Sequence, residues 1–106
     1  MTAYRERLKL AMEILEPVFR QKFEIKRVSA EKGDFGDLES IRFDADRCGG
    51  FLDFWSSGMV QYELVDYISG EEIIPIVALE IQSDKQVVDI AAFIVDRIQA
   101  TLATEE

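Results

Sequence analysis

Apolar residues recur every three or four positions near both ends of the chain, and alternate with polar ones over much of the stretch between. Leu8, Ala11, Met12, Leu15, Val18 and Phe19 fall on one side of a helical wheel, with Arg5, Arg7, Lys9, Glu13 and Glu16 opposite, which predicts an amphipathic N-terminal helix. Pro17 removes a backbone donor and disfavours helical geometry at Glu16, so a kink or restart is expected there. At the other end, Ser83-Asp84-Lys85-Gln86 fits a capping box, in which Ser83 covers an orphan amide and Gln86 reaches back. Val87, Ala91, Ile94, Ile98 and Leu102 follow as a helical stripe, widened by Val88 and Val95, with Lys85, Asp89, Asp96, Arg97 and Gln99 outside.

Between these helices the period shortens to two. Phe23 to Val28 reads as a short, mostly solvated strand, and Ala30 to Asp37, with Gly33 and Gly36 among charges, as a turn or mobile loop. Ile41, Phe43 and Ala45 alternate against Ser40, Arg42, Asp44 and Asp46, so one face of that strand is core. Gly49-Gly50 breaks the pattern and Phe51 to Trp55 resumes it. Ser56-Ser57-Gly58 then gives turn chemistry before Val60, Tyr62 and Leu64 alternate with Gln61 and Glu63, which predicts a hairpin. After Ile68-Ser69-Gly70, a strand from Glu71 to Ile81 carries Pro75, which places it at an edge, bulged or broken near residue 75.

The order helix, four or five strands, helix, with short strand connections, predicts an α+β fold: an antiparallel meander with both helices on one face. A length of 106 residues and 48% hydrophobic content suit one domain over residues 1–106. The longest apolar run, Ile73 to Leu79, is far shorter than the roughly 20 residues that cross a bilayer, and the charged N-terminus lacks a hydrophobic signal region. A cytoplasmic location is expected, and the single Cys48 allows no internal disulfide.

Charge changes the picture of partners. The net charge of −9 opposes binding to nucleic acid or to an anionic membrane. The charge is also uneven. Residues 1–27 carry seven bases and four acids, whereas Cys48 to Asp84 holds seven acids (Asp53, Glu63, Asp66, Glu71, Glu72, Glu80, Asp84) and no base.

Catalysis is not expected. Histidine is absent, which removes the commonest general base, the usual zinc ligand and every His-based triad. Cys48 beside Arg47 is better explained as a small buried hydrophobe at a strand end than as a nucleophile. Asp44, Asp46 and Gly49 imitate the opening of a calcium loop, but Cys48 and Trp55 stand where further ligands belong. Asp34 with Asp37, and Glu71 with Glu72, read as solvated turns, and no glycine-rich phosphate loop is present. Neither metal nor cofactor is expected.

Binding is better supported. If Leu52, Phe54, Val60, Tyr62 and Leu64 face the helices, then Phe51, Asp53, Trp55, Met59, Gln61, Glu63, Val65 and Tyr67 face outward. The candidate contact set is Phe51, Asp53, Trp55, Gln61, Glu63 and Tyr67, with Glu71 and Glu72 from the same base-free stretch, a mixture of interface-favoured aromatics and acids. The competing account has a loop or Phe35 covering Phe51 and Trp55.

The segment Leu52-Asp53-Phe54-Trp55-Ser56-Ser57-Gly58, then Tyr62-Glu63-Leu64-Val65-Asp66-Tyr67-Ile68-Ser69-Gly70-Glu71, then a capped terminal helix, resembles the small bacterial immunity proteins of the TriTu type. The resemblance spans about residues 38–98 and departs from that family at the apolar, proline-containing strand 73–79. It implies an intracellular protein that neutralises a toxin by binding it, without a cofactor. A basic toxin domain would suit an acidic face with aromatic anchors through electrostatically steered association. The alternative is an acidic secretion chaperone or oligomeric scaffold that binds a peptide, or itself as a homodimer, through strand 73–81.

Overall fold

A computed structural model describes residues 3–33 and 36–103; Asp34 and Phe35 lie outside the described residues. Helix α1 (Ala3–Lys22) leads into five strands, β1 (Glu24–Gly33), β2 (Gly36–Asp44), β3 (Cys48–Trp55), β4 (Met59–Asp66) and β5 (Glu72–Glu80), and helix α2 (Asp84–Ala103) follows. The strands form one sheet in the order β1-β2-β3-β4-β5, each antiparallel to its neighbour. This is the expected α+β meander, with five strands and two helices packed against the sheet.

The inner face is built by register. Ile25, Phe43, Gly50, Leu64 and Ile74 form one cross-strand row, and Arg27, Ile41, Leu52, Tyr62 and Val77 the next. Against them lie Leu8, Ala11, Leu15, Val18 and Phe19 from α1 and Val87, Ala91, Ile94 and Ile98 from α2, all in one buried cluster. Phe19 stacks on Phe43 with ring centroids 4.8 Å apart, and Phe23 meets both edge-on at 5.6 Å. Each such ring contributes roughly 1.5–3 kcal/mol by burial. Glu39 is a buried charged side chain on this face. It is buried at one end, where it accepts hydrogen bonds from Arg5 Nε on α1 at 3.0 Å and from Ser29 Oγ on β1 at 2.7 Å.

Four local expectations change. Helix α1 is continuous through Pro17, so the chain does not restart there, and Pro17 lies on its exposed side. Within 30–37 the described residues, 30–33 and 36–37, are strand, held by ladder pairing of Ala30 with Leu38 and of Gly33 with Gly36. Gly49 and Gly50 lie inside β3; a side chain at Gly50 would overlap the Glu63 carbonyl of β4, so glycine lets the two strands approach. Val88 faces solvent and does not widen the α2 stripe.

Strand β5 is an edge, as Pro75 requires, and its register with β4 is irregular between Tyr62 and Val65. The capping box closes as expected: Gln86 N–H donates to Ser83 Oγ at 3.4 Å, and Gln86 Oε1 accepts from Ser83 N–H at 3.1 Å. No helix among the described residues is long and apolar enough to cross a membrane.

Candidate functional site

With both helices on one side, the other face of the sheet is open. Its central row is Val28, Ser40, Asp53, Gln61 and Ala78; the rows beside it hold Leu38 with Trp55, and Lys26, Arg42, Phe51 and Glu63. Of the expected contact set, Phe51, Trp55, Gln61 and Glu63 are partly exposed on this face, Glu71 and Glu72 are exposed, and Tyr67 is 48% exposed.

Asp53 departs from expectation: it is only 6% exposed and cannot serve as an accessible acidic contact. Ser40, wholly buried, donates from Oγ to Asp53 Oδ1, and Arg42 Nε donates to Ser40 Oγ at 3.3 Å. The Arg42 guanidinium lies 5.5 Å from the centre of the Phe51 ring. Burial raises the Asp53 carboxyl above its ordinary range, while Ser40 and then Arg42 act in the opposite direction. The open face therefore has a polar floor, bordered in register by Trp55, Leu38, Phe51 and Arg42.

The acidic end is shaped by a second group. Burial first, then the charge of Glu72 and a hydrogen bond with it, raise the Glu63 carboxyl. Glu72 Oε2 also accepts the Ile76 N–H at 3.3 Å, next to Pro75.

Tyr67 follows β4 and reaches across β3, its hydroxyl donating to Asp44 Oδ1 on β2. A side chain at Gly49 would strike the Tyr67 hydroxyl, the Asp44 carboxylate and, at 2.7 Å, the Phe43 carbonyl, so this crossing needs glycine beneath it. Partial burial, then the bond to Asp44 and its charge, and last Cys48, push the phenol up to about 12. Asp44, an acid of the imitated calcium loop, is thus engaged by a phenol. Among the described residues no group of three or more His, Cys, Asp or Glu side chains could hold a metal ion. Cys48 is fully buried in the core cluster, in line with its reading as a small hydrophobe.

Ser40, Arg42, Asp44 and Ile68 were not foreseen as parts of this region. The first three read as the solvated side of a strand, and it is the register of β2 with β3, not alternation within β2, that sets Ser40 beside Asp53 and Arg42 beside Phe51. Nothing local marks Ile68. A shallow cleft of about 500 Å³ elsewhere, lined by Glu6, Arg7, Lys9, Leu10, Glu13 and Asp84, is crossed by the Arg7–Asp84 ion pair at 3.4 Å and shares no residue with the open face.

Fold and face together define an α+β protein with two helices behind an antiparallel sheet and, in front, a surface that mixes aromatic and acidic residues with the bases Lys26 and Arg42. No protein-family model, curated protein or solved structure matches the chain.

Proposed function

We propose that the chain is a protein-binding protein of the immunity type, which holds a basic toxin domain against the open face of its sheet and neutralises it by occupancy. The observation that carries this reading is the presence of partly exposed Trp55 and Phe51 with Glu63 and Glu72 on a face no helix covers, with exposed Glu71 in the turn beside Glu72. Aromatic anchors supply contact area, while acids in a stretch without bases steer a cationic partner and reject an anionic one. The buried Ser40–Asp53 floor fixes the two central strands, so little ordering is left for the moment of binding. The reading involves no catalysis and no cofactor, and it places the protein in the cytoplasm.

The test begins with the proteins encoded beside this chain's gene. The one it binds should be basic, its toxicity should disappear on co-expression, and association should slow by at least about tenfold from low to high salt. Equal rates in both would remove the steering argument.

A second reading, a chaperone or scaffold that uses β5, draws on Ile76, which is 57% exposed on an edge strand without charge from Ile73 to Leu79. Light scattering separates the two, since a stable homodimer that protects β5 amides from exchange favours the scaffold.

A further inference from the structure

Ile68, in the turn between β4 and β5, is 73% exposed, more than any other large apolar side chain among the described residues. A single exposed aliphatic residue is ordinary. The turn that presents it is not loose, however, because every backbone N–H from Asp66 to Glu71 has an acceptor. Asp66 N–H donates to the Glu71 carbonyl at 2.9 Å, and Tyr67 N–H to the Arg47 carbonyl at 2.6 Å. Ile68 and Ser69 N–H donate to Asp66 Oδ1 at 2.9 and 3.3 Å, and Gly70 N–H to the Asp66 carbonyl at 2.9 Å. Glu71 N–H donates to Ser69 Oγ at 3.1 Å.

Gly70 supplies the left-handed conformation this path needs, at φ 75°. The Tyr67 hydroxyl, bonded to Asp44 over Gly49, ties the turn to the open face. The turn holds a bare isoleucine in one place, preceded in sequence by Tyr67 and followed, past Gly70, by the exposed Glu71 and Glu72.

We infer that Ile68 is an anchor for the protein partner, entering an apolar socket whose rim carries lysine or arginine opposite Glu71 and Glu72. This deepens the open-face reading and rests on it. An apolar side chain presented by an ordered turn loses little freedom on binding, which is the property of an anchor. The acids select the rim. A second copy of this chain that presented this same turn, from a stretch with no base between Cys48 and Asp84, would meet it with like charge.

The experiment places a photo-crosslinker in the full chain, expressed in its own host, as Ile68→benzoylphenylalanine, Trp55→benzoylphenylalanine and, for reference on the exposed side of α2, Asp89→benzoylphenylalanine. Irradiated adducts are identified by mass spectrometry. The expected result is one and the same partner protein captured from positions 68 and 55 and not from 89, with the peptide joined to position 68 apolar and close to lysine or arginine. With that protein purified, Ile68→Asp should weaken binding by at least about tenfold and Ile68→Leu by less than about threefold, with both variants melting as the wild type does. Capture from 55 but not from 68 overturns the anchor and leaves the open face standing. An adduct between two copies of this chain at 68, or a joined peptide in an acidic surface, also overturns it. No adduct from either position removes the anchor and the open-face reading together.

Discussion

On the inner side of the sheet Ile41 and Leu52 disappear beneath two helices; on the outer side Ser40 and Asp53, paired across the same two strands one residue away, are as well hidden with no helix above them. The inner pair is apolar and covered by other elements. The outer pair is polar, bonded to itself and sheltered within its own sheet. Inner burial contributes stability through area, whereas outer burial fixes orientation, because a buried carboxylate must keep its donors. A partner that docks on the outer face meets a floor already withdrawn from water.

The sharpest way to break this contrast is on the inner side. Phe43→Ala removes the ring that Phe19 and Phe23 grip and should cost about 3–5 kcal/mol in urea unfolding. The outer equivalent is smaller: Ser40→Ala leaves Asp53 buried without its hydroxyl donor, for a loss of about 1–3 kcal/mol. If Ser40→Ala were neutral, the outer floor would hold nothing in place.

Smaller still is a pH effect. Because the folded protein holds the Asp53 proton more tightly than the unfolded chain, this group makes stability fall as pH rises from about 3.8 through its raised folded value, and the loss persists above it. Asp53→Asn should remove that descent from the curve of unfolding midpoint against pH, and a curve parallel to the wild type would contradict the raised carboxyl. Glu63, raised above 4.5, adds a descent of the same sign that Glu63→Gln should remove. The least perturbing change is Tyr67→Phe. It should delete the tyrosinate transition near pH 12 from an ultraviolet titration while leaving the unfolding midpoint at neutral pH within about 0.5 kcal/mol of wild type.

The inner face was readable from sequence because its information is periodic. Leu52 and Phe54, then Val60, Tyr62 and Leu64, announce their side by alternation, and the helical stripes need only a count of three and four. The outer face was readable in membership and not in state. Alternation put Asp53 beside Phe51 and Trp55, but its burial depends on Ser40 and Arg42 of a strand brought alongside by pairing, which spacing within β3 does not encode. Gly49 and Gly50 misled for a related reason. Glycine locally signals a break, and here it answers a long-range demand for room beneath Tyr67 and beside Glu63. The tip at Ile68 was recognisable as a turn, but its ordering depends on Arg47 and Asp44, about 20 residues earlier.

The Arg7–Asp84 contact joins residues 77 positions apart, one on each helix. Each strand of the meander finds its partner in the chain just made, but α1 does not find α2 until about 60 residues later. At synthesis rates of roughly 5–20 residues per second, the apolar stripe of α1 waits several seconds on the ribosome before its neighbour emerges. During that interval Phe19 can already stack on Phe43 of β2, but the part of the α1 stripe that packs on α2 has no cover and is offered to whatever is nearby.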